Sequence, residues 1–149
     1  MNTFLSMISK YAGYFHDGSI REIQHEKDTV TISIESAQVL PEWNWDRGIL
    51  PLSKRETIVG KLHMECVKSI KENGKLFPSI LRMIYDHSDL FDIEIEKNKV
   101  KLLVTWEQYL PKKIRTDMYN IEISAEKIYW ENIPTLFDAY WDSLERGAT

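Results

Sequence analysis

One stretch of this chain returns in outline 70 residues later. Tyr14-Phe15-His16-Asp17-Gly18-Ser19-Ile20 leads into Ile23, Glu26, Lys27, Val30, Ile32 and Ile34. Ile84-Tyr85-Asp86-His87-Ser88-Asp89-Leu90 leads into Ile93, Glu96, Lys97, Val100, Leu102 and Val104. Each copy reads as a polar turn, a strand, a charged tight turn and a second strand. Ile23, Glu26, Lys27 and Val30 match their counterparts in identity; the remaining likeness is alternation, which any two β-hairpins share. Internal duplication and ordinary hairpin patterning are therefore both open. Either one commits the chain to antiparallel strands.

The second strand of the first copy alternates cleanly, with Val30, Ile32 and Ile34 on one side and Thr29, Thr31, Ser33 and Glu35 on the other. In the first strand Ile20 and Ile23 share a face only across a bulge. A long strand carries Ile58, Gly60, Leu62, Met64 and Cys66 in phase, which makes Cys66 a small buried apolar residue and His63 a solvated one. Asn73-Gly74 signals a hairpin. A second hairpin runs from about Phe91 to Glu107 and turns at Lys97-Asn98. Tyr119, Ile121 and Ile123 mark a further strand, with Ile128 and Trp130 as its continuation. Residues 78–85 fit a short helix opened by Pro78, or a strand; the echo favours helix.

Helices are expected at both ends. Thr3 caps a segment with Phe4, Leu5, Ile8 and Tyr11 on one face, stopped by Gly13. Asn132 and Pro134 open a second, whose stripe is Leu136, Phe137, Tyr140, Trp141 and Leu144. The expected fold is α+β over a single domain, residues 1–149. It is mostly antiparallel sheet, arranged as a sandwich or partly open barrel of two meander halves, with N- and C-terminal helices.

Composition narrows function by exclusion. A net charge of −4 argues against nucleic acid, which requires clustered cations. One cysteine cannot build a disulfide framework, and a reducing compartment is the simplest setting. The start lacks the pattern of a secretory signal, and no run approaches the roughly 18 apolar residues of a membrane helix. A cytoplasmic protein with no membrane contact is expected. No glycine-rich phosphate loop, nucleophile elbow or zinc-binding helix is present, and no cofactor is implied.

Three clusters are candidate sites. His16-Asp17 could pair as a metal ligand set or as a base with its orienting carboxylate; the plainer reading is a turn relaxed by Gly18. Asp86-His87-Ser88-Asp89 could hold a divalent cation, or be a polar turn. Were the two halves to face one another, His16, Asp17, Asp86 and His87 could converge. The third is Trp43-Asn44-Trp45-Asp46-Arg47, in an irregular stretch spanning residues 39–55. Alternate indoles share a face when extended, and Trp with Arg suits a binding hot spot. Trp43, Trp45, Asp46 and Arg47 are therefore the expected partner-binding residues; the competing reading buries both indoles as a cap on the sheet.

The run Tyr14-Phe15-His16-Asp17-Gly18-Ser19-Ile20, followed by Val30, Ile32, Ile34 and Glu35-Ser36, resembles the start of small bacterial proteins of unassigned function. In them an FHDG(S/C) turn introduces the first hairpin. These resemble in turn some polymorphic-toxin immunity proteins: small, acidic, cytoplasmic α+β domains. The likeness covers residues 14–36 and elsewhere reaches only strand order and a Trp-bearing strand at Trp106. It carries no catalytic residues. It implies a non-enzymatic protein-binding module, with a toxin as one candidate partner. The alternative is a small-ligand or metal-binding protein, or a hydrolase, using the His/Asp cluster.

Overall fold

The computed structural model describes residues 12–40 and 50–147. A 3-10 turn at Ala12–Phe15 precedes β1 (Gly18–Glu26), β2 (Thr29–Gln38), β3 (Thr57–Glu72), β4 (Lys75–Leu76), β5 (His87–Ile95), β6 (Lys99–Gln108), β7 (Ile114–Arg115) and β8 (Tyr119–Asn132). The chain ends in α1 (Asp138–Gly147). The six longer strands pair in the order β2-β1-β5-β6-β8-β3, and β3 returns to β2. The sheet is thus a closed antiparallel barrel, neither the expected sandwich nor an open one. Closure is tightest along β2, β3, β6 and β8; β1 and β5 meet over three residues each, Gly18, Ser19 and Ile20 against Leu90, Asp89 and Ser88. β4 and β7 are two-residue additions at its ends.

The alternation read from sequence sets the interior. Val30, Ile32 and Ile34 from β2, Leu62 and Met64 from β3, and Val100, Leu102, Val104 and Trp106 from β6 all point inward and are buried. Trp130 and Phe15 meet edge-to-face, with ring centroids 5.8 Å apart.

The 70-residue echo is a repeat in three dimensions. In the first hairpin Ile20 faces Ile34 and Ile23 faces Ile32, with a bulge between Ile20 and Glu22. In the second, Leu90 faces Val104 and Ile93 faces Leu102, with a bulge between Leu90 and Asp92. Register and bulge coincide under the same offset. The two hairpins join through β1 and β5, where Ser19 pairs with Asp89. Those two residues are themselves equivalents, so a local twofold axis passes between them. Gly18↔Leu90 and Ile20↔Ser88 exchange across it. The halves are meanders, β1-β2-β3 and β5-β6-β8, as expected.

Other expectations fare differently. The N-terminal helix falls on residues 1–11, outside the described part; among the described residues only the 3-10 turn lies at that end. Residues 78–86 are neither helix nor strand. They cross one end of the barrel, with Leu81 buried as a plug and its N–H donated to His25 Nδ1 at 2.8 Å. Cys66 is exposed, because the chain takes a positive φ of 53° there and turns the thiol outward. At the polar turn the positive φ belongs to Asp17; Gly18 is required because a Cβ would lie 2.6 Å from the Glu35 carbonyl oxygen. Asn73 and Gly74 both take positive φ, as a tight hairpin requires. No helix among the described residues is long and apolar enough to cross a membrane.

Candidate metal centre on the barrel wall

Side chains that alternate with the core residues form the outer wall. Across the strands Val59, Glu35, Ser19, Asp89 and Thr105 stand in one row. One step along β5 and β6, His87 pairs with Glu107, and Glu107 pairs in turn with Arg115 of β7. Two polar assemblies occupy this wall, about two strand spacings (~10 Å) apart.

The first is built on His87, Asp89 and Glu107. Each offers one ligand atom, and the three atoms lie within 4.8 Å of one another. His87 Nε2 is 3.1 Å from Asp89 Oδ1 and 4.0 Å from Glu107 Oε2. Glu107 is buried, and its charge is met from two sides. Tyr109 donates its hydroxyl to Oε2 at 2.7 Å, and Arg115 Nε lies 3.3 Å from Oε1. The hydrogen bond to Glu107, followed by desolvation and then by the charge of that carboxylate, pushes the Tyr109 phenol up to about 12. The Tyr109 ring leans over His87, with centroids 5.5 Å apart. Thr105, directly across from Asp89, is buried with a hydroxyl that has no hydrogen-bond partner.

The second assembly clamps α1 to the barrel. Glu35 is buried, and its Oε2 accepts from Arg55 Nε and Nη2 at 3.1 and 3.0 Å and from Thr57 Oγ1 at 2.7 Å. Its Oε1 accepts from Trp141 Nε1 at 3.0 Å. Arg21 Nε is 3.5 Å from the same oxygen, a charge contact without hydrogen-bond alignment. The Arg21 guanidinium lies under the rings of Phe137, Tyr140 and Trp141, nearest Tyr140 at 4.3 Å. Arg55 also reaches Asp138 at 3.0 Å, in the first turn of α1. The helix therefore docks through charge and through the rings of its stripe, while Leu144, further along the stripe, stays exposed.

Of the four residues that could have converged, His87 alone enters a cluster. His16 and Asp17 are exposed and 3.8 Å apart, and His16 Nδ1 bonds the Phe91 carbonyl. Asp86 is exposed. Trp43, Trp45, Asp46 and Arg47 lie in residues 41–49, outside the described part. His63, expected to be solvated, is largely covered: it stacks on Tyr129 at 4.6 Å and bonds Glu131 at 2.8 Å. Sequence reasoning missed Glu107, Tyr109 and Arg115. The signal for Glu107 was the hairpin register. A tight turn at Lys97-Asn98 carried straight back would set His87 opposite Gln108. The bulge after Leu90 shifts the register by one and brings Glu107 to His87.

No protein-family model, no curated protein and no solved structure matches this chain.

Proposed function

We propose that this protein binds a divalent transition-metal ion through His87, Asp89 and Glu107. One observation carries the reading: an imidazole and two carboxylates from adjacent strands present their ligand atoms within 4.8 Å of one another. Bonds of about 2.0–2.2 Å to nitrogen and oxygen set neighbouring ligand atoms about 3.0–3.4 Å apart. The His87–Asp89 separation of 3.1 Å already meets that, and His87–Glu107 at 4.0 Å needs only a small rotamer adjustment. One nitrogen and two hard oxygens suit zinc, manganese or ferrous iron rather than a thiolate-seeking ion. Two carboxylates balance the ion's charge, and three ligands leave positions for water or substrate. Arg115 holds the far oxygen of Glu107, Oε1, and its charge opposes a cation beside it, while Tyr109 donates to Oε2, the oxygen nearer His87.

The test is titration of the whole protein with zinc and with manganese, read by histidine NMR and by melting temperature. An ion at 100 times its dissociation constant adds about 2.7 kcal/mol of stability. The His87 ring signals should move with zinc and broaden with manganese, and both effects should vanish in Asp89→Asn. Arg115→Gln should tighten binding by removing the competing cation. Unmoved His87 signals in the wild type at millimolar zinc would end the proposal.

A second reading, the protein-binding module, rests on the surface that adjoins this cluster through Tyr109 and β7. Tyr109, Leu110, Ile114 and Met118 are exposed around β7, Leu110 to 84%, beside Lys112 and Lys113. An apolar centre with a cationic rim suits a partner with an acidic rim. Under the immunity reading that partner is a toxin encoded beside this chain. Its co-purification should be lost in Leu110→Asp at unchanged melting temperature; equal recovery from both would dismiss this surface.

A further inference from the structure

The barrel end crossed by residues 78–86 contains a cleft of about 740 Å³. Phe77, Ile80, Leu81 and Ile84 form its apolar wall, Trp106 lies at its floor, and Ser79, Glu72 and Arg82 are the polar residues that line it. Trp106 is 1% exposed, and its Nε1–H has no hydrogen-bond partner. A buried indole N–H without a partner loses its hydration and gains nothing in return, so such donors are nearly always satisfied. The backbone around it offers no relief: Trp106 N–H and C=O are both engaged by Thr116. A broader groove of about 920 Å³ beside the β1–β2 turn is lined mainly by charged and amide side chains and has no such donor.

We infer that this cleft is a binding site for a small apolar molecule carrying one neutral hydrogen-bond acceptor, such as a ketone or ester carbonyl. Apolar walls with a few polar groups, here the Trp106 indole N–H, Ser79, Glu72 and Arg82, are the ordinary form of a small-molecule pocket, and barrel mouths are a frequent place for one. The donor dictates the acceptor's charge. A carboxylate taken to the floor would lose its hydration and gain only one neutral N–H, which does not offset the cost. A carbonyl loses far less and satisfies the indole. Arg82 and Glu72 are exposed and half-buried respectively, so a ligand's polar tail can stay at the mouth. This site lies inside the barrel end, whereas the His87 cluster lies on the outer wall, so the two stand or fall independently.

The probe is acetophenone, with ethylbenzene as the control of the same shape that lacks the acceptor. Proton–nitrogen NMR of the whole protein follows the Trp106 indole signal and the amides of Phe77, Ile80, Leu81 and Ile84. Acetophenone should move the indole proton downfield in a saturable way and shift those amides; ethylbenzene should leave the indole proton in place. Ile84→Trp, a change at an exposed rim position, should weaken the acetophenone response about tenfold by closing the mouth. Three results would each overturn the inference: an indole proton unmoved up to the solubility limit, an equal shift with ethylbenzene, or an unchanged response in a folded Ile84→Trp protein.

Discussion

Removing the Glu35 carboxylate tests how α1 is held. In Glu35→Ala the acceptor for Arg55, Thr57 and Trp141 disappears, and Arg21 loses its charge contact at 3.5 Å. The side chains of Arg21 and Arg55 are 12% and 19% exposed, so water cannot fully replace the lost partner. Breaking a buried pair from one side costs about 3–5 kcal/mol, because the surviving charge is left uncompensated. Asp138 still neutralises part of Arg55, which places the expected loss toward about 3 kcal/mol. At about 2–4 °C per kcal/mol for a chain of this size, the melting temperature should fall by about 6–12 °C. Urea unfolding followed by circular dichroism gives the free energy. Trp141 should also redden in emission as its indole N–H loses Glu35, and Trp141→Phe in the same background identifies that signal. Adding Arg55→Ala should recover part of the loss, since it removes the charge that Glu35 compensated. A loss under about 1 kcal/mol with unchanged emission would show that the clamp does not bear the helix.

Three further outcomes follow from the same geometry. Tyr109 has a phenol raised from 10 to about 12 in the folded state, so its contribution is complete below pH 10 and is lost as pH rises from 10 through about 12; the urea midpoint of Tyr109→Phe should therefore be flatter over that window than the wild type's, and parallel curves would refute the Glu107 hydrogen bond. Gly18→Ala forces a Cβ to within 2.6 Å of the Glu35 carbonyl oxygen and should cost about 1–3 kcal/mol by prising β1 from β2, checked by chemical denaturation; a neutral change would contradict the close approach. Cys66 is exposed, yet desolvation and then Glu126 and Asp28 push its thiol up, so its reaction with a disulfide reagent at pH 8 should be slower than that of free cysteine; a faster reaction would mean a different local field.

Part of the site was legible in the chain and the rest only once the strands were paired, and the reason is register. His87 and Asp89 alternate in β5, so their shared face is visible in the chain itself. Glu107 joins them through the bulge between Leu90 and Asp92. The same bulge was inferable in β1, from Ile20 and Ile23, and the echo would have carried it to Leu90 and Ile93. Cys66 misled for the converse reason: its phase with Leu62 and Met64 ends at a positive φ that no periodicity records. His63 misled because its cover, Tyr129 and Glu131, arrives from β8 on a strand far along the chain.

Local chemistry in the sequence was enough to specify the hairpins, the Asn73-Gly74 turn, the inward faces of β2 and β6, and a C-terminal helix. Each depends on neighbours within a few residues, where alternation, turn preference and capping act directly. The pairing of β1 with β5, of β2 with β3 and of β3 with β8 does not, because it joins segments dozens of residues apart. That long-range pairing closed the barrel, buried Glu35 between two arginines, and drew His87, Asp89 and Glu107 together. Charges far apart along a chain acquire one another as partners only when the backbone between them has been folded into place.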